Sequence, residues 1–231
     1  ASLGMGSWHL GQGRRSWEAE KSALLTGLQL GMTLIDTAEM YGDGLSEELI
    51  GDALRDWPAL QPQPFLVSKV LPMNASHKGV LRAFELSAQR LGVDCIDLYL
   101  LHWRGGVPLS ETIEAFKRLQ AQGKIRHWGV SNLDSPDMKE LVEQPGGERV
   151  AVNQVLYNLS RRGVEWDLLP WCSGRRIPLM AYSPIEQARL LRHPGLRALA
   201  ARHGATPAQL ALAWLLRGEQ LIRSEEHTSE L

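Results

Sequence analysis

A chain of 231 residues, 44% of them hydrophobic and 22% charged, carries enough apolar material for one large core and has the composition of an ordinary globular protein. Its formal net charge of −1 gives no electrostatic reason to expect nucleic acid or an anionic membrane surface as a partner. Cys95 and Cys172 form neither a disulfide framework nor a CxxC spacing, and no apolar run reaches the ~18 residues of a membrane span, so a cytoplasmic protein is expected, with a monomer as the default.

The chain opens at Ala1 without an initiator Met and enters LGMGSW almost at once, so an N-terminal piece is expected to be missing; Leu3–Trp8 is a weak apolar run. Trp17, Leu24, Leu25 and Leu28 then share one helical face, with Ser16 as N-cap and Gly31 as stop. Met32–Ala38 reads as a strand that carries Asp36 near its end, with Tyr41 following in LIDTAEMYG. After a Pro-rich loop at Trp57–Pro64, Phe65–Val70 is a strand carrying Lys69. Helical cues over Leu81 to Leu91 close on Gly92, and the strand Ile96–Leu101 runs into His102. Ile113, Phe116 and Leu119, followed by Gly123, mark another helix. Strands at Ile125–Val130, Val150–Leu156 and Ile177–Ala181 follow, and Pro207 to Leu216, capped by Thr206, is the last helix.

Strand alternating with helix predicts βαβ units around a parallel sheet. Leu98-Tyr99-Leu100-Leu101 lacks period-two alternation, as a strand buried on both faces should. A doubly wound sheet concentrates its ligand at one switch point, whereas here reactive residues follow three successive strands. With seven strand candidates visible, the expected architecture is a (β/α)8 TIM barrel. An eighth strand should follow the Pro207 helix, where the chain instead runs into RSEEHTSEL. The barrel is therefore expected to be truncated near its eighth strand, as one domain over residues 1–222 that is incomplete at both ends. Residues 223–231 read as a non-native polar tail that resembles a translated sequencing adapter.

Asp36, Tyr41, Lys69 and His102 each fall at or just beyond a strand's C-terminal end, where parallel α/β folds gather reactive side chains. A phenol with an unperturbed pKa near ~10 is a poor acid at neutral pH, and a neighbouring ammonium favours its phenolate. Lys69 can supply that charge, Asp36 can hold the lysine, Tyr41 can donate the proton, and His102 can add a hydrogen bond to a carbonyl oxygen. Singly, each residue has an ordinary reading as a turn cap, loop aromatic, strand end or core histidine. Their joint placement at successive strand ends favours the chemical one. The histidines at 9, 77, 102, 127, 193, 203 and 227 show neither HxH nor HExxH spacing, so no metal site is expected. Lys69 as a Schiff-base nucleophile would need a free amine, which an adjacent Asp36 opposes. Gly4-Met5-Gly6 does not match GxGxxG, so a Rossmann site is disfavoured.

LIDTAEMYG, VSKV and LYLLHW resemble the Asp/Tyr, Lys and His motifs of the aldo-keto reductases, and GKIRHWGVSN, VNQVLYN and AYSPI resemble that family's cofactor-binding strands. The resemblance runs to about Ile222 and implies reduction of aldehydes or ketones by NADPH. By resemblance, Tyr41 is the general acid, Lys69 and Asp36 tune it, and His102 orients the carbonyl. Ser131, Asn132 and Gln154 would hold the nicotinamide carboxamide, and Tyr182 would stack on its ring. Ser183 and Pro184 would line the pyrophosphate path, Gly6 would allow close backbone approach, and Trp8, Met40 and Trp103 would wall the substrate pocket. DTAEMY, LLHWRG and AYSPIEQARLLR are similar to bacterial members that act on methylglyoxal, which implies small 2-oxoaldehydes as substrates. The family's basic segment for the cofactor 2′-phosphate follows the eighth strand, where this chain ends. The alternative from a different class is an NADP-binding regulatory barrel without catalysis.

Overall fold

Ser16, Ser76, Asp134 and Thr206 each accept a hydrogen bond from the backbone N–H three residues on, and each opens a helix by satisfying a donor that has no intrahelical partner. The computed structural model describes residues 3–59, 61–217 and 221–225, the last segment as backbone alone. In chain order the elements are β1 (Gly4–Gly6), α1 (Trp17–Gln29), β2 (Leu34–Asp36), α2 (Leu45–Asp56), β3 (Phe65–Val70) and α3 (His77–Leu91). They continue with β4 (Ile96–Leu101), α4 (Leu109–Ala121), β5 (Ile125–Ser131), α5 (Ser135–Glu143), β6 (Asn153–Leu156) and α6 (Leu168–Gly174). The last are β7 (Leu179–Tyr182), α7 (Pro194–Arg202), α8 (Pro207–Leu216) and β8 (Leu221–Glu225). Among the described residues, no helix is long and apolar enough to cross a membrane.

The strands pair in parallel and in sequence order, and β8 pairs with both β7 and β1 to close the barrel. The barrel expected from the sequence forms, and its eighth strand lies at the chain's C-terminal end. The tail boundary expected at residue 223 falls within β8. Arg223 pairs with Ala181, Ser224 with Gly4 and Glu225 with Met5. Strand pairing is made by backbone groups, and a gap between β7 and β1 can be filled by a segment whose side chains give no strand signal. The rest of that tail, residues 226–231, lies outside the described residues.

Inside-outside alternation along each strand sorts the core into two layers. Leu66, Val70, Tyr99 and Leu101 pack outward in the large cluster beneath the helices, while Leu34, Val67, Leu98, Leu100, Val152 and Met180 form a separate cluster that fills the barrel. The unbroken apolar run of β4 is explained by this double burial. One strand step beyond the inner plug, the inward positions become Asp36, Lys69, Ser131 and Gln154, a polar layer facing the C-terminal mouth.

Helix α2 starts without a side-chain cap. Its N-cap is Gly44 at φ +97°, where an added Cβ would lie 2.5 Å from Arg90 Nε. Buried Glu47 ties this helix inward and outward: Ser68 Oγ donates to it at 2.6 Å from β3, and Arg90 at 2.8 Å from α3. The turn Tyr41–Gly44 is therefore braced from behind, which fixes where the Tyr41 side chain enters the mouth.

Candidate active site

Lys69 is fully buried, and a charge removed from water persists only where other groups replace its hydration. Its Nζ donates to Asp36 Oδ2 at 2.9 Å, to the Thr37 carbonyl at 2.8 Å and to the Tyr41 hydroxyl at 3.3 Å. Those three acceptors match the three protons of an ammonium. Burial alone would lower the lysine's pKa, but the Asp36 charge, helped by Tyr41, outweighs it and holds the pKa above its ordinary value. Lys69 is thus a fixed cation set against a phenol, with its ammonium 5.0 Å from the Tyr41 ring centre.

His102 stands on the other side of Tyr41, with ring centres 5.9 Å apart at an interplanar angle of 77°. Burial, with the Lys69 charge adding to it, pushes its pKa down to about 3. The imidazole is consequently neutral throughout the physiological range, able to donate one hydrogen bond but unable to compete as a proton source. Among the described residues its Nδ1 is buried without a hydrogen-bond partner.

The shift has a consequence for stability. Between about pH 6.5 and 3 the unfolded chain binds a proton at His102 that the folded chain does not, so stability falls as pH falls through that window. In chemical denaturation across this range, His102→Gln should show a shallower decline than the parent. Parallel curves would refute the assignment of a depressed histidine.

The strands that follow complete the mouth. Ser131 ends β5, and Asn132, at φ +60°, turns its amide back to donate to the His102 carbonyl and to Ser131 Oγ, both at 3.1 Å. Tyr182 at the end of β7 donates its hydroxyl to Asn132 Oδ1 at 2.8 Å. Gln154 on β6 reaches across the barrel, and its Nε2 donates to Asp36 Oδ1 at 2.9 Å and contacts Met180 Sδ at 3.0 Å.

A cavity of about 270 Å³ opens here, with Gly6, Trp8, Met40, Tyr41, His102 and Trp103 among its lining residues. Asp36, Ser131, Asn132, Gln154, Tyr182 and Ser183 line it as well, while Lys69 lies beneath its floor. Every site residue expected from the sequence therefore sits in or directly under one cavity except Pro184, which is buried in the segment after β7 and does not line it.

Ser7 and Gln187 also line the cavity without having been anticipated, and Thr37 supplies its carbonyl to Lys69. Neither of the first two carried a chemical signal in the sequence, and a backbone acceptor never does. A second network went unseen as well. Ser183, Glu186, Gln187 and Ala188 all have positive φ, an unfavourable conformation for side-chain-bearing residues. The strap they form is held by Asn158, whose Nδ2 donates to the Ser183 carbonyl at 2.8 Å and to Glu186 at 2.7 Å, and by Arg161, whose Nε donates to Glu186 at 3.0 Å.

The family model described as "Aldo/keto reductase family" matches residues 2–224. The methylglyoxal reductase YeaE of Escherichia coli is 49% identical over 220 residues, covering 93% of this chain and 76% of that protein. A glyoxal reductase of Bacillus subtilis is 33% identical over 215 residues, covering 93% of this chain and 74% of that protein. The crystal structure of an aldo/keto reductase from Klebsiella pneumoniae in complex with NADP and acetate superposes with a TM-score of 0.94 at 46% identity, over 99% of this chain and 81% of that one.

Proposed function

Because the chain belongs to the aldo/keto reductase family, we propose that it reduces small aldehydes and ketones to alcohols with NADPH, with 2-oxoaldehydes such as methylglyoxal as its first substrates. The observation that carries this reading is the Asp36–Lys69–Tyr41 arrangement, a buried ammonium within 3.3 Å of a phenol at the floor of a cavity walled by Trp8, Met40 and Trp103. NADPH, when bound, supplies the hydride that the carbonyl carbon receives.

The residues that would hold it fit a nicotinamide. Ser131, Asn132 and Gln154 offer polar atoms on one wall, and the Tyr182 ring stands beside them on the same cavity. A flat aromatic beside a carboxamide-sized polar patch suits a ring that must expose one face to the substrate. Gly6 and Ser183 line the same cavity, and Gly6, without a side chain, allows close backbone approach there.

The protein's own part is proton delivery and orientation. As the carbonyl oxygen gains negative charge, Tyr41 transfers its hydroxyl proton to it, and the phenolate left behind is stabilised by the Lys69 ammonium. Neutral His102 donates a hydrogen bond to the same oxygen, so the developing charge meets two donors fixed in advance. The aromatic walls exclude water and leave room for a small substrate. YeaE and the B. subtilis relative carry names that fit dicarbonyl reduction, which supports the choice of substrate class.

The test is NADPH oxidation followed by its absorbance, with methylglyoxal and glyoxal as substrates. Carbonyl-dependent oxidation that yields the hydroxy product is the expected result. NADPH binding without turnover on any small carbonyl would reject the reading.

A further inference from the structure

Gln154 makes a contact that cofactor binding does not require. It lies 118 positions from Asp36 in the sequence, yet its Nε2 is 2.9 Å from Asp36 Oδ1, on the opposite side of that carboxylate from Lys69. The orientation of the amide follows from chemistry. An ionised carboxylate only accepts, so the amide must present its nitrogen to Asp36, and the second contact of Nε2, to Met180 Sδ, is again with an acceptor. Both amide protons are thereby engaged inside the protein, in a residue that is 2% exposed.

We infer that Gln154 is a positioning residue for the proton donor: it fixes the Asp36 carboxylate, through Asp36 it fixes Lys69, and through Lys69 it sets the acidity of Tyr41. This rests on the reductase reading above and adds to it. Titratable and charged groups around Tyr41 among the described residues include Lys69 from β3, Asp36 from β2, His102 beyond β4, and Glu39 and Asp43 on its own loop. Glu39 is already occupied, accepting from the Leu71 amide at 2.6 Å and from Asn74 at 3.0 Å. The cation in contact with the phenol is Lys69, and Asp36 is the carboxylate that holds it. A buried carboxylate that loses a donor binds a proton more strongly, and a lysine whose proton is drawn toward it does less to stabilise a phenolate.

The test compares Gln154→Met with the parent. Methionine has similar length and no donor. At saturating NADPH, kcat for carbonyl reduction should drop about tenfold, and the alkaline limb of the kcat profile, above which the acid is spent, should move up by about one pH unit. The near-ultraviolet tyrosinate titration of the cofactor-free protein, in a Tyr182→Phe background, should move in the same direction. That background is informative because burial holds Tyr99 well above the ordinary tyrosine range and pushes Tyr157 up to about 12, which keeps both out of the window.

Gln154→Glu is the second variant. A carboxyl group against Asp36 can donate as the amide does only while protonated, so this variant should work best in acid and lose activity at a lower pH than the parent. A raised KM for NADPH with both limbs unmoved would overturn the proposal and leave Gln154 as a cofactor contact alone. Unchanged kcat and an unchanged tyrosinate titration would overturn it too. Loss of carbonyl turnover in the parent protein would instead reject the reductase reading, while the cofactor-free titration would still decide the Gln154 linkage.

Discussion

Tyr41→Phe should reduce carbonyl turnover by about 10²–10⁴-fold or more while leaving NADPH affinity within a few-fold of the parent. The substitution removes one oxygen. Lys69 keeps Asp36 and the Thr37 carbonyl as acceptors at 2.9 and 2.8 Å, so the buried cation stays satisfied and the floor of the cavity should hold its shape. What disappears is the proton that reaches the alkoxide. His102 cannot replace it, because burial, with the Lys69 charge adding to it, leaves the imidazole neutral, and its remaining N–H is a hydrogen-bond donor rather than an acid at neutral pH. The checks are steady-state kinetics with methylglyoxal and a fluorescence titration with NADPH. If the parent shows only weak turnover and the variant leaves it unchanged with NADPH still bound, the chain moves to the alternative of a cofactor-binding barrel without this chemistry.

The placement of Asp36, Tyr41, Lys69 and His102 around one mouth was legible in the sequence for a physical reason. Asp36, Lys69 and His102 lie at or next to the C-terminal end of a short apolar run, and in a parallel barrel the inward-facing ones of those positions share one mouth. The alternation of strand and helix and the double burial of β4 could be read in the same way, since Leu98 and Leu100 point inward while Tyr99 and Leu101 point out. The contacts that organise the site were not legible. Gln154 and Asp36 meet only because β6 lies across the barrel from β2, a closure that no local pattern encodes. Glu47, Arg90 and Ser68 likewise belong to three elements, and nothing in LSEELIG separates the buried Glu47 from its exposed neighbour Glu48. The residues of the eighth strand were the least legible because its pairing is made by backbone, while Arg223, Ser224 and Glu225 are residue types common in a solvated tail.

Lys69→Met should damage stability as severely as activity. The methionine fills most of the volume, but Asp36, only 3% exposed, then keeps its charge without the ammonium that balanced it. Removing one partner of a buried ion pair costs about 3–5 kcal/mol, which for a domain of this size lowers Tm by roughly 10 °C. The loss should depend on pH in a definite direction. A buried unpaired carboxylate binds a proton more readily than an exposed one, so the folded variant gains protons relative to the unfolded chain and its deficit shrinks as pH falls. Adding Asp36→Asn to Lys69→Met removes the stranded charge, and the double variant should recover part of the lost stability at neutral pH while remaining inactive. Calorimetric or chemical denaturation of the parent, both single variants and the double variant closes that cycle. Equal destabilisation of Lys69→Met and the double variant would mean that the Asp36 charge is not what Lys69 balances. The buried pair would then lose its place as the support that holds an ammonium against Tyr41.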